Sequence, residues 1–114
     1  MSQNQMTPTW LVNGTSMATS FTSSTVQCQF GDNIGFHIVW TGTPTGTITI
    51  QVSMDPDVLG WHDWTFSGTP TQPSGSASHS WLEINQATAG FVRLKYTASS
   101  GSGTMKAKIA IKSV

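Results

Sequence analysis

DNIGFHIVWTGTPTGTITIQVSM, residues 32–54, decides the fold class. Ile34, Phe36, Ile38 and Trp40 alternate with Gly35, His37 and Val39, and in the following run Ile48, Ile50, Val52 and Met54 share one face. Alternation with a period of two marks half-buried strands, whereas an amphipathic helix repeats every 3.6 residues. Between the runs lies TGTPTGT, rich in turn formers, with Pro44 unable to donate to a central ladder. The two runs therefore predict an antiparallel hairpin.

The same alternation recurs on both sides. TWLVN offers a short first strand, and STVQCQF alternates Val26, Cys28 and Phe30. WHDWTF and HSWLEI read as strands around the loop SGTPTQPSGSAS, and the chain closes with GFVRLKYTA, the turn SSGSG and TMKAKIAIKSV. Seven or eight short antiparallel strands separated by turn signals describe an all-β sandwich of jelly-roll type. Residues 1–8 read as a flexible N-terminal arm and 9–114 as a single domain.

Composition narrows the class further. The 114 residues are 9% charged, against roughly 25% in an ordinary globular domain. Seventeen Thr and fifteen Ser stand in for the missing charges, and Thr suits a pleated surface. A polar surface with so little net charge is prone to associate, which suits a subunit of an assembly. The single cysteine, Cys28, permits no internal disulfide and reads as a small buried hydrophobe. MSQNQMTPTW has neither a basic n-region nor an apolar h-region, so the expectation is cytoplasmic synthesis without a secretory signal. No apolar run approaches the ~18 residues that span a bilayer.

Charge is segregated along the chain. Asp32, Asp55, Asp57, Asp63 and Glu83 all precede Arg93, Lys95, Lys106, Lys108 and Lys112. If the last two strands form a hairpin, Lys95 faces Lys106 or Lys108, and like charges directly across a strand pair are destabilising. Three readings follow. The lysines guard an exposed sheet edge; the basic strip meets an acidic patch on a neighbouring copy; or it binds nucleic acid or anionic lipid, for which five charges without interleaved aromatics are few.

Trp40 is in phase with the core of its strand, whereas Trp61 and Trp64 differ in parity, so that one of them faces outward if the segment is extended. An outward Trp packs against another subunit or stacks on a sugar ring. Asp55 and Asp57 form a weak calcium pair in ordinary turn chemistry. His37, His62 and His79 share no metal-ligand spacing, and no nucleophile triad, phosphate loop or cofactor motif occurs.

One resemblance covers roughly the last three quarters of the chain. The Gly-Thr-Pro-x-Gly-Thr turn of Gly42–Thr47, Ser53-x-Asp55, Trp61, Arg93-x-x-Tyr96-Thr97 and the Ser100–Thr104 turn follow one another in this order. The pattern resembles that of small phage-encoded β-sandwich virion proteins. It implies a non-enzymatic capsid decoration, spike or vertex component, found in the virion and forming homo-oligomers. Its partners would be other virion proteins and its own copies, without a small-molecule substrate, nucleic acid or membrane. Arg93, Lys95, Lys106, Lys108 and Lys112, with Trp61 or Trp64 nearby, are the expected subunit or capsid contacts. The alternative reading is a carbohydrate-binding module, including one at the tip of a host-recognition fibre. It requires a solvent-facing Trp beside Asp or His in a groove.

Overall fold

A computed structural model describes residues 8–27, 33–66, 70–84 and 90–112. Among them it contains nine strands and no helix. These are β1 (Thr9–Ser16), β2 (Phe21–Thr22), β3 (Val26–Gln27), β4 (Asn33–Gly42), β5 (Thr45–Ser53), β6 (His62–Asp63), β7 (Ser78–Ile84), β8 (Phe91–Ser100) and β9 (Gly103–Lys112). One sheet runs β1-β9-β4-β7 and the other β2-β8-β5-β6, with β3 also paired to β8. All pairings are antiparallel. The all-β sandwich expected from alternation is thus the architecture. Cys28, Phe30, Asp32 and residues 1–7 of the expected arm lie outside the described residues, and Pro8 is exposed just before β1.

The pairing corrects two expectations. β4 and β5 are not a hairpin, and neither are β8 and β9, because in each case the two strands lie in different sheets. β4 pairs with β9 from Asn33↔Lys112 to Gly42↔Gly103, and β5 pairs with β8 from Thr45↔Ser100 to Ser53↔Phe91. The chain from 33 to 53 and the chain from 91 to 112 therefore form one two-stranded ribbon folded in half. Both strands cross between sheets side by side at the fold, where the Thr43 N–H donates to the Ser102 carbonyl at 2.8 Å. Glycine permits the crossing. Gly42 and Gly101 have φ of +84° and +76°, and a Cβ on Gly101 or Gly103 would collide with the Thr43 or Thr41 carbonyl.

A one-residue register shift between Thr45 and Gly46 reconciles the two halves. In β4 and β9 the inward residues pair even with odd, as in Trp40↔Met105, whereas in β5 and β8 they pair even with even, as in Ile50↔Leu94. Slippage at a glycine keeps both sets on the core side. The core so made includes Phe36, Trp40, Ile50, Leu94, Tyr96 and Met105, all buried. Each large side chain removed from water contributes roughly 1.5–3 kcal/mol. Met54, expected in this face, instead points into solvent. The β5 edge beyond β6 is covered by Gln72, whose side chain bonds both the N–H (2.6 Å) and the carbonyl (3.2 Å) of Ile48. Capping that edge removes a template for unwanted strand pairing.

Candidate functional site

Folding the ribbon disperses the basic strip. Arg93 and Lys95 lie on the outer face of the β2-β8-β5-β6 sheet, whereas Lys106 and Lys108 lie on the outer face of the other. Lys112 closes β9 opposite Asn33. No cation faces another across a strand pair. Lys95 sits between Thr22 and Thr49, Lys106 between Asn13 and Val39, and Lys108 between Trp10 and His37. The predicted Lys95–Lys106 or Lys95–Lys108 clash does not occur, because the strands that carry them are not neighbours.

Arg93 and Trp61 do come together. The Arg93 guanidinium lies 4.3 Å from the centroid of the half-buried Trp61 ring, a cation–π contact. Arg93 Nε donates to Gln51 Oε1 at 2.8 Å, and Gln51 Nε2 donates to Asp63 Oδ1 at 2.8 Å. The buried amide thus links a cation to a carboxylate, and this explains how a polar side chain is tolerated there. Trp64 packs partly buried against the core. Neither Trp61 nor Trp64 is the fully outward tryptophan that parity predicts.

The outward tryptophans lie on the opposite sheet. Trp10, Lys108, His37 and Trp81 form one row across β1, β9, β4 and β7. Trp81 is 61% exposed and Trp10 47%. Beside this row, Gly35 pairs with Ala110 on one side and Glu83 on the other. The small residues form the floor of a groove of about 530 Å³, walled by Pro8, His37, Trp81, Glu83 and Lys108. Trp81 Nε1 donates to Glu83 Oε2 at 3.0 Å, and the His37 ring lies 5.1 Å from the indole. Parity within HSWLEI was the available signal for Trp81, since Leu82 and Ile84 take the core side.

A third exposed feature is the turn after β5. The Val58 and Leu59 N–H groups both donate to the Asp55 carbonyl, and Val58 also donates to Asp55 Oδ1 at 3.3 Å. The Asp55 carboxylate thus fastens its own turn. Among the described residues no three His, Cys, Asp or Glu side chains converge in a way that could hold a metal, so Asp55 and Asp57 are joined by no third side chain of these types. The turn leaves Met54, Val58 and Leu59 exposed by 67, 77 and 71%. No helix among the described residues is long and apolar enough to cross a membrane.

No protein-family model matches the chain, and no curated protein matches its sequence. Eight solved chains match by structure. One of them is the crystal structure of SPBc2 prophage-derived protein YomS, with a TM-score of 0.62, 12% identity and coverage of 96% of both chains. At that identity the likeness establishes a shared all-β fold.

Proposed function

We propose that this chain is a non-enzymatic structural protein of a bacteriophage virion, a capsid decoration or spike/vertex component that assembles with its own copies and with other virion proteins. The observation that carries the reading is the turn after β5. Met54, Val58 and Leu59 stand in solvent on a turn that Asp55 holds in shape. Large apolar side chains presented this way mark a surface that another protein covers. Trp61 follows the turn directly and Arg93 lies against it, so an aromatic and a cation flank the apolar knob. Trp and Arg are enriched at the centres of such contacts. Lys95, on the same sheet, would lie at the rim, whereas Lys106, Lys108 and Lys112 belong to the other sheet. The fold shared with a prophage-derived protein and the sparse charge support the same reading.

The test pairs composition with assembly. Mass spectrometry of purified particles should find the chain. Light scattering coupled to size exclusion should show an oligomer that the double variant Val58→Ser, Leu59→Ser converts to monomer without loss of β-sheet circular dichroism. A wild-type monomer at every concentration, in a chain also absent from particles, would sink the proposal.

A further inference from the structure

The groove on the outer face of the β1-β9-β4-β7 sheet is used neither by the core nor by the contact just proposed. We infer that it is a binding site for an acidic saccharide, with a hexose ring stacked on the free face of Trp81 and its carboxylate or phosphate directed to Lys108. The inference does not depend on the virion reading.

Four observations converge. Trp81 is the most exposed large aromatic among the described residues, yet it is not loose, because Glu83 holds the indole N–H and the His37 ring abuts it. A flat apolar surface fixed in advance loses little freedom when it receives a ligand ring. The groove exists because residue 35 is glycine. A Cβ there would meet nothing within 4 Å, and Gly35 is not among the positive-φ glycines, so neither backbone strain nor close packing demands it. Glycine in mid-strand weakens a sheet and often marks a place where something approaches closely. Polar residues line the cleft: Lys108, His37 and Glu83, whose second carboxylate oxygen can address ring hydroxyls.

Charge completes the assignment. Lys106 and Lys108 are both exposed on this face, and its described acid, Glu83, is already engaged by Trp81. The Lys108 ammonium is held 4.6 Å over the Trp10 ring. A cation positioned beside an aromatic platform complements a sugar acid better than a neutral sugar. Two lysines are too few for a nucleic-acid track.

The experiment follows the indole N–H resonances of isotopically labelled full-length protein during titration with trigalacturonate, glucose 6-phosphate and neutral maltotriose. The Trp81 resonance should move with both acidic sugars, and affinity for maltotriose should be about tenfold lower. Whichever acidic arm binds more tightly identifies the source as a uronate or a sugar phosphate. Lys108→Gln should erase the preference for acid. Trp81→Ala should weaken all binding about tenfold or more, read by calorimetry. Gly35→Leu should fill the groove and abolish binding while the fold persists. Silence toward every sugar, equal affinity for maltotriose, binding that survives Trp81→Ala or Gly35→Leu, or preference for an oligothymidylate would each overturn the assignment. None of these results bears on the Val58, Leu59 contact, which lies on a different element, so the two proposals fail separately.

Discussion

Tyr96 is the only tyrosine in the chain, and its hydroxyl is buried without a hydrogen-bond partner among the described residues. The ring is enclosed between Phe21, 5.5 Å away, and the backbone at Gly46, where any Cβ would run into the phenol. A buried, unpartnered hydroxyl costs about 1–3 kcal/mol. Tyr96→Phe removes that cost and leaves a void the size of one oxygen, with a loss of dispersion contacts below about 1 kcal/mol. The net expectation is stabilisation by about 1 kcal/mol, or roughly 4 °C in Tm for a domain of this size. Urea and thermal unfolding followed by tryptophan fluorescence would measure it. A variant less stable than wild type by 1 kcal/mol or more would mean that the hydroxyl has a partner, and the reasoning would fail.

The same group carries a pH signature. Burial raises the Tyr96 phenol above its ordinary value near 10. Below about 10 the folded and unfolded chains both keep the proton, and the contribution of the neutral phenol to stability is complete. Above it the unfolded chain ionises first and binds fewer protons, so stability falls as pH rises through the folded value. Tyr96→Phe should be relieved of this loss, and its advantage should widen on the alkaline side. Because no other tyrosine contributes, phenolate absorbance follows this one group. A midpoint at or below the free value would refute the account.

Two further substitutions probe other joints. Gln51→Ala should cost about 2–3 kcal/mol in urea unfolding, since it cuts the links from Arg93 and to Asp63 together. A cost below 0.5 kcal/mol on the same scale would show that water serves as well. Gly103→Ala should destabilise by about 3 kcal/mol or more, because the new Cβ meets the Thr41 carbonyl. Gly35→Ala, open above and in ordinary strand conformation, should be neutral or stabilise by up to about 1 kcal/mol. Equal effects of the two changes on Tm would contradict the crossing geometry.

Much of the strand pattern was legible because alternation is a property of one strand at a time. Ile34 to Trp40, Ile48 to Val52, Val92 to Tyr96 and Met105 to Ile109 all face the core as their spacing implies. Partner choice belongs to pairs of strands, and a glycine-rich link reads alike whether it closes a hairpin or passes between sheets. The clue lay in parity. The inward positions of β4 and β9 fall on even and odd numbers and those of β5 and β8 on even numbers alone, so a continuous ribbon needs one slip, and Gly46 provides it. β2, two residues long, has no alternation to detect. Trp10 was hidden for another reason. A register irregularity between Trp10 and Val12 leaves both Leu11 and Val12 buried, and parity cannot be read through it.

Folding the ribbon also changes what an assembly can use. With all cations on one hairpin, repulsion would require an external acidic surface. In the folded ribbon each cation has a neutral neighbour across the strand, and Trp61 and Trp10 take up Arg93 and Lys108. Exposed charge pairs formed with another molecule would be weak and screened within about 10 Å at 0.1 M salt. The most exposed large apolar side chains among the described residues are Met54, Val58 and Leu59. Association driven by them is hydrophobic and should hold or strengthen as salt is raised. Light scattering at low and high ionic strength separates the cases. An oligomer that falls apart in high salt would return the contact to Arg93, Lys95, Lys106 and Lys108, against the geometry that scatters them over two faces.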